Sequence, residues 1–365
     1  MSELKVDKVS PRSGNYVSLN TVGMKNIIIN GDMSIAQRST SVASITTSGY
    51  YTVDRFATAI LSLGTWTQSQ STDVPTGEGF ATSLKMDCTT ADASPAAADM
   101  LRIDMPFEGQ NLQYLKKGTA NAQSLTASFW VKSTKIGTFI CELRDSDNAR
   151  QVSKSYTVNV TNTWEFKTVI FPADTSGVLD NDNNESLALI FFLGAGTNFT
   201  SGTLNTTWGS TVNANRAVGQ VNIADDTSND FYITGVQLEA GTTASDFEFL
   251  PVDVNLQRCL RYFQTFRGTD VEICNGGMGD TTSFVGVVNY LVEMRATPTL
   301  TANSGTDFFR VFTTTGSNPV TIASNNLTGT RTMSLNATTP SSLTAGESGR
   351  IRCLSSGILD FSAEL

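Results

Sequence analysis

A two-residue alternation of apolar and polar side chains runs through most of this chain. Leu125, Ala127, Phe129 and Val131 fall on one face, with Thr126, Ser128, Trp130 and Lys132 on the other. That is the pattern of a half-buried antiparallel strand. Phe139, Cys141 and Leu143 repeat it, as do Tyr156, Val158 and Val160. The run from Leu187 to Leu193 is apolar at every position, which predicts a central strand covered on both faces. Turn-forming clusters at Asp145–Asn148, Pro172–Asp174 and Asp180–Asn184 separate these segments at sandwich spacing. A parallel β-helix would show a fixed short repeat, and none is present.

The alternation breaks after Pro251. Leu256, Cys259, Leu260 and Phe263 recur at helical spacing, and Asp253 is placed to accept from the first free backbone N–H groups. A helix of about 12 residues is roughly 18 Å long, too short to hold an oligomer by itself. Its stripe has two readings: docking on its own sandwich, or packing on a threefold axis with two other copies. A second short helix is expected near Asn111–Lys117, with Leu112 and Leu115 facing one way. Residues 195–222 form a long Gly/Thr/Asn-rich loop around Trp208. Beyond the Pro251 helix, Val288, Tyr290, Val292 and Met294 alternate with Asn289, Leu291, Glu293 and Arg295. Further strands are expected at 308–313, 320–323, 331–335, 351–354 and 358–365.

The chain therefore reads as all-β in four parts: a polar arm (1–25), a β-sandwich (26–250), a linker helix (251–266) and a smaller β-sandwich (267–365). The last part is short on core for its length, and trimerisation is expected to supply the missing burial.

Several motifs carry a resemblance. Gly235–Gly241 (GVQLEAG) and Ala244–Glu248 (ASDFE) lead into the helical Cys259–Gln264 (CLRYFQ). Upstream lie Asn26–Met33 (NIIINGDM), Ile35–Arg38 (IAQR) and Tyr51–Phe56 (YTVDRF). This set resembles a carbohydrate-binding-module-like jelly roll in bacteriophage tail and fibre proteins, with Asn26–Met33 as its opening strand. Lys5–Asn20 is similar to short segments at fibre attachment points. The resemblance implies a jelly-roll fold and a place in the virion after synthesis in the host cytoplasm. It implies a homotrimeric tail fibre or appendage that contacts host surface polysaccharide, attached to other tail or head proteins through residues 1–25, with 267–365 facing the host. A head-fibre, adaptor or capsid-decoration protein that binds no glycan is the alternative; a polysaccharide depolymerase is the other.

Composition narrows the chemistry. Of the 365 residues 39% are hydrophobic and only 16% charged, so Thr, Ser, Asn and Gly supply much of the surface. A net charge of −9 argues against nucleic-acid backbones and against anionic membranes. The chain contains no His, which removes the usual neutral-pH base and the commonest zinc ligand. Carboxylates remain for catalysis. Glu142, Asp145 and Glu165 stand out, but nothing pairs two of them as a glycosidase requires, and no enzyme activity is expected. Glu142 is expected on the solvated face of its strand.

Cys88, Cys141, Cys259, Cys274 and Cys353 have no disulfide or zinc spacing. Asp180, Asp182 and Asn184 space oxygen ligands for a hard cation, but the pattern is read as an Asn/Asp hairpin turn, the simpler account. Gly276–Gly279 lacks the Lys of a phosphate loop, and no cofactor is expected. The first ten residues lack the apolar region of a signal peptide, and no run is long enough to insert in a membrane. Aromatics placed to stack on sugars are Tyr50, Tyr51, Trp66 and Trp208.

Overall fold

The computed structural model describes residues 24–305, 308–354 and 356–365. The arm expected over residues 1–25 lies outside them except for Met24 and Lys25. The larger unit has twelve strands: β1 (Ser41–Ile45), β2 (Ala57–Leu61), β3 (Thr65–Ser71), β4 (Ser83–Thr90), β5 (Met100–Glu108), β6 (Leu125–Ser133), β7 (Gly137–Asp145), β8 (Arg150–Val158), β9 (Glu165–Phe171), β10 (Glu185–Ala195), β11 (Gly209–Ser210) and β12 (Asp230–Ala240). They make two six-stranded sheets, ordered β1-β3-β4-β12-β6-β9 and β11-β8-β7-β10-β5-β2. The unit is a jelly-roll β-sandwich.

Its core follows the alternation directly. Phe129 of β6 meets Phe191 of β10 at 4.8 Å and Tyr156 of β8 at 5.0 Å, both edge to face. Strand β10 lies between β7 and β5 and is buried on both sides, as its unbroken apolar run predicts. Leu187, Leu189, Phe191 and Leu193 enter the main core. Ala188, Ile190 and Phe192 point the other way, where Ala217, Phe199 and Leu204 of the long polar loop cover them. That loop is the cover of the second sheet's outer face.

Four segments differ from expectation. Residues 290–295, expected to continue an alternating strand from Val288, lie in a loop after the strand Ser283–Asn289. Asn26–Met33 takes no strand: Asn30 and Met33 have φ near +63° and +61°. The Asn30 amide stands in for a ladder by donating to the carbonyls of Ile35 and Asp54. The Asn111–Lys117 helix is two 3₁₀ turns, Gly109–Asn111 and Gln113–Leu115, closed by Lys116 in the left-handed region. The linker helix spans Val252–Leu260 with Pro251 at its N-cap and no side-chain cap bond. Asp253 thus lies inside the first turn, where it complements the helix dipole by charge alone.

The smaller β unit follows: β13 (Phe263–Arg267), β14 (Glu272–Met278), β15 (Ser283–Asn289), β16 (Thr299–Ala302), β17 (Phe309–Thr313), β18 (Ser317–Thr328), β19 (Thr332–Thr338), β20 (Ser348–Cys353) and β21 (Ile358–Ser362). Its sheets take the form of a closed six-stranded barrel, β14-β15-β19-β18-β17-β20, beside a three-stranded sheet, β13-β21-β16. Closure surrounds Met278, Phe284, Phe309, Leu335 and Phe361 with the unit's own strands. Missing burial is therefore not a reason for this unit to trimerise.

Polar groups tie the two units together. Glu364 pairs with Arg38 at 3.1 Å and with Arg55. Glu108, at the end of β5, receives Arg261 at 2.8 and 2.7 Å as well as the Tyr262 hydroxyl. Arg295 donates to the Asn183 carbonyl at 2.7 Å.

Candidate functional site

The outer face of the first sheet is unusually aromatic for a surface left open. Pairing places Thr234, Trp130 and Phe166 in one row across β12, β6 and β9. Trp130 and Phe166 meet at 5.4 Å with their planes tilted by 53°. One pleat repeat away, about 7 Å along the strands, Lys85, Tyr232 and Lys132 form the next row. Trp164 meets Tyr232 edge to face at 6.1 Å. The Lys132 Nζ sits 4.3 Å from the Tyr232 ring centre. The Trp164 indole N–H donates to Asp73 at 2.9 Å, and Lys132 pairs with the same carboxylate.

A wall rises beside this face from the motif residues. A bulge between Thr234 and Gln237 sets Gly235 at φ +60°, and a β-carbon there would sit 2.6 Å from Phe80 Cζ. Glycine at 235 is what lets the Phe80 ring lie against the strand. Glu239 accepts the Ser245 N–H at 2.8 Å and Gln237 Oε1 accepts the Glu248 N–H at 2.9 Å, so both side chains clamp 244–249 in place. That clamp presents Phe247 and Phe249, which pack with Phe80 at 5.1 Å each. The result is a cleft of about 490 Å³, floored by Trp130, Phe166 and Ser128, with Ser245, Asp246 and Glu78 on its rim. Phe166 and Phe249 are about half exposed, at 48% and 50%.

The stacking residues expected from sequence are placed elsewhere. Trp66 is fully buried in the sandwich core, its indole N–H donating to the Leu63 carbonyl at 2.7 Å. Its alternation partner Gln68 is buried too, so no outward face existed to expose it. Tyr50 sits in the seam, its hydroxyl donating to the Leu365 carbonyl at 3.2 Å. Tyr51 is half-buried and donates to the Thr47 carbonyl. Trp208 packs over Lys117 at 4.6 Å and donates to the Pro172 carbonyl at 2.7 Å. Trp130, Trp164 and Phe166 escaped that reading. A signal existed for Trp130, which occupies the polar phase of the 125–132 alternation.

The helix stripe is covered by this same chain. Cys259, Leu260 and Phe263 are buried, Leu256 is half-buried, and the Arg38 guanidinium lies 3.6 Å from the Phe263 ring centre. Asn255, on the same side, donates to Asp32 and Ser34 at 3.1 Å each.

The carboxylates each have partners. Glu142 does lie opposite the core, but it is not solvated: Arg216 of the covering loop grips it at 2.9 and 2.7 Å. Asp145 is buried with Lys117 and accepts the Asn148 N–H at 3.0 Å. Burial pushes the Glu165 carboxyl up, but hydrogen bonds from Lys167, Val160 and Asn159 outweigh it and bring it down to about 2. Asp182 accepts the Asn184 N–H at 2.9 Å in an Asx turn, while Asp180 N–H goes to Asp147. Among the described residues no three His, Cys, Asp or Glu side chains cluster as a metal site would require. No described helix is long and apolar enough to cross a membrane.

No family model matches the chain, and no curated protein does. Solved structures similar to it include the enzymatically active domain of bacteriophage CBA120 tailspike protein 4. That match has 16% identity and a TM-score of 0.30, and covers 59% of this chain and 21% of the tailspike chain. A family 11 carbohydrate-binding module from Clostridium thermocellum matches at 12% identity and TM-score 0.25, covering 56% of this chain and 91% of the module. TmCBM61 in complex with beta-1,4-galactotriose matches at 8% identity and TM-score 0.28, covering 60% and 99%.

Proposed function

We propose that this chain is a glycan-binding component of a bacteriophage virion, a tail fibre or similar appendage, and that the outer face of its first sheet holds the sugar. The observation that carries the binding half is the aromatic surface of Trp130 with the half-exposed Phe166, next to half-buried Trp164, which packs edge-on against the buried Tyr232 one pleat repeat away. Ring faces suit the C–H faces of pyranoses, and the hydroxyl and charged groups between them suit sugar hydroxyls. The virion half rests on the sequence resemblance, whose GVQLEAG and ASDFE segments build the wall of the cleft. Binding without bond cleavage is the proposed action, because Glu142 and Asp145 are buried in ion pairs.

The aromatic face belongs to the larger unit, so the proposal assigns host contact there instead of to 267–365. A homotrimer is part of the same reading: three weak sites on one appendage raise avidity well beyond a single site. Such an assembly would use faces outside the seam, where the helix stripe is occupied.

The test is calorimetric titration of purified host-surface oligosaccharides into the wild-type chain and into Trp130→Ala, with Tyr51→Ala as control. Loss of about one aromatic stacking contact should weaken binding roughly tenfold or more, while Tyr51→Ala leaves it unchanged. Equal affinity in wild type and Trp130→Ala would refute the face as the site. Absence of any binding would favour the adaptor reading.

A further inference from the structure

A second, larger cleft of about 770 Å³ opens at the seam, between the end of β5, the linker helix and the barrel. Its volume falls within the roughly 300–1,000 Å³ usual for small-ligand sites. Most of the charges on its lining are paired. Glu108 on its wall is taken by Arg261, and Glu293 by Arg331 at 3.0 Å. Arg55, only 4% exposed, is paired with Glu364, yet its buried Nε has no partner among the described residues. Arg258, in the last turn of the helix and half-buried, makes neither an ion pair nor a hydrogen bond among the described residues. Burial holds its guanidinium below the usual arginine value, though arginine stays charged. Glu248 acts on Arg258 by charge through space but makes no ion pair with it, and it spends its Oε2 on the backbone N–H groups of Lys25 and Asn26, at 2.8 and 2.9 Å. On the rim, Asn111 and Tyr114 are exposed, and their side chains make no hydrogen bond among the described residues.

A half-buried guanidinium that no carboxylate among the described residues meets within hydrogen-bond distance is costly to keep unless an anion meets it closely. We propose that the seam cleft binds a carboxylate-bearing sugar, with Arg258 receiving the carboxylate and Asn111 and Tyr114 the neighbouring hydroxyls. The planar guanidinium fork matches a carboxylate with two parallel N–H···O bonds. An amide and a phenol at the rim match vicinal hydroxyls better than a bare inorganic anion. This site is separate from the aromatic face, and it stands if that face proves inert.

The experiment titrates trigalacturonate, its neutral methyl ester and inorganic sulfate into the full chain, with Arg258→Gln, Tyr114→Ala and Trp130→Ala alongside. Loss of a charge-assisted pair predicts at least a tenfold weaker trigalacturonate affinity in Arg258→Gln. Tyr114→Ala, at an exposed position that folding does not need, should lose about threefold or more. Trp130→Ala should bind like wild type, which separates this site from the sheet face. Unchanged affinity in Arg258→Gln or Tyr114→Ala, or equal binding of the methyl ester, would overturn the proposal. Sulfate binding as tightly as trigalacturonate would overturn the sugar assignment, since a bare anion would then suffice.

Discussion

At the scale of single residues, burial decides which polar groups can work and which only hold the chain together. Asp54 shows the second case. It accepts Gln37 N–H at 3.0 Å beneath the seam, and burial pushes its carboxyl up to about 6 despite Arg38 nearby. The folded chain therefore keeps this proton to higher pH than the unfolded chain, whose aspartates titrate near 4. Its contribution is fully present below about pH 4 and is lost as pH rises through 6. Urea unfolding should accordingly show stability declining between pH 4.5 and 7, with the decline shallower in Asp54→Asn. An identical slope in the variant would mean other groups set it. The same distinction explains what the sequence could say about tryptophans. Trp130 was legible as outward from its phase within one strand. Trp66 was not legible as core, because its neighbours Thr65, Thr67 and Gln68 are polar. Only the pairing of β3 with β4 shows that Gln68 is buried too, donating to Thr58 at 2.8 Å.

At the scale of elements, strands with clean alternation were legible and those built around glycine were not. β6, β7, β10 and most barrel strands fall where apolar residues recur at the right period. β14 hides behind Gly276 and Gly277, which read as a loop. Its pairing gives the reason: Gly276 faces Gly286 on one side and Gly349 on the other. Across that row lies the ring of Phe284, 2.8 Å from where a Gly276 β-carbon would stand and 3.0 Å from one at Gly286. Small residues there let the barrel curve while an aromatic covers the gap. A β-carbon at 276 would also meet the Val285 carbonyl oxygen at 2.0 Å, which is backbone and cannot swing away. Gly276→Ala should therefore destabilise the barrel by about 1–3 kcal/mol, read as a lower urea midpoint of the tryptophan-independent far-UV signal. A midpoint within error of wild type would show that the strands separate there more easily than their pairing suggests. The Asn26–Met33 segment failed for the opposite reason: apolar Ile27, Ile28 and Ile29 suggest a strand, but Asn30 spends its side chain on turn bonds.

At the scale of the whole molecule, the two β units are joined by more than their covalent linker. The C-terminal residues return to the sandwich, where Glu364 is 7% exposed between Arg38 and Arg55. Arg267 of β13 donates to the Arg38 carbonyl, and Gln37 donates to the Phe263 carbonyl at 3.0 Å. Contacts of this kind couple unfolding, because separating the units would strand buried charges. Calorimetry on the wild-type chain should thus give one transition, with calorimetric and van't Hoff enthalpies in agreement. Glu364→Ala leaves Arg55 buried without its carboxylate, a loss of about 3–5 kcal/mol for breaking such a pair. The barrel, with the smaller core, should then melt first and the single transition should split. Two transitions in the wild-type chain would mean that the units are stable apart. A single, unshifted transition in Glu364→Ala would mean that the seam is held by its apolar contacts at Tyr262 and Phe263. A single transition in the wild-type chain bears on function as well. A chain that stays coupled holds the β5 end, the helix and the barrel in fixed register, and that register is what shapes the seam cleft around Arg258.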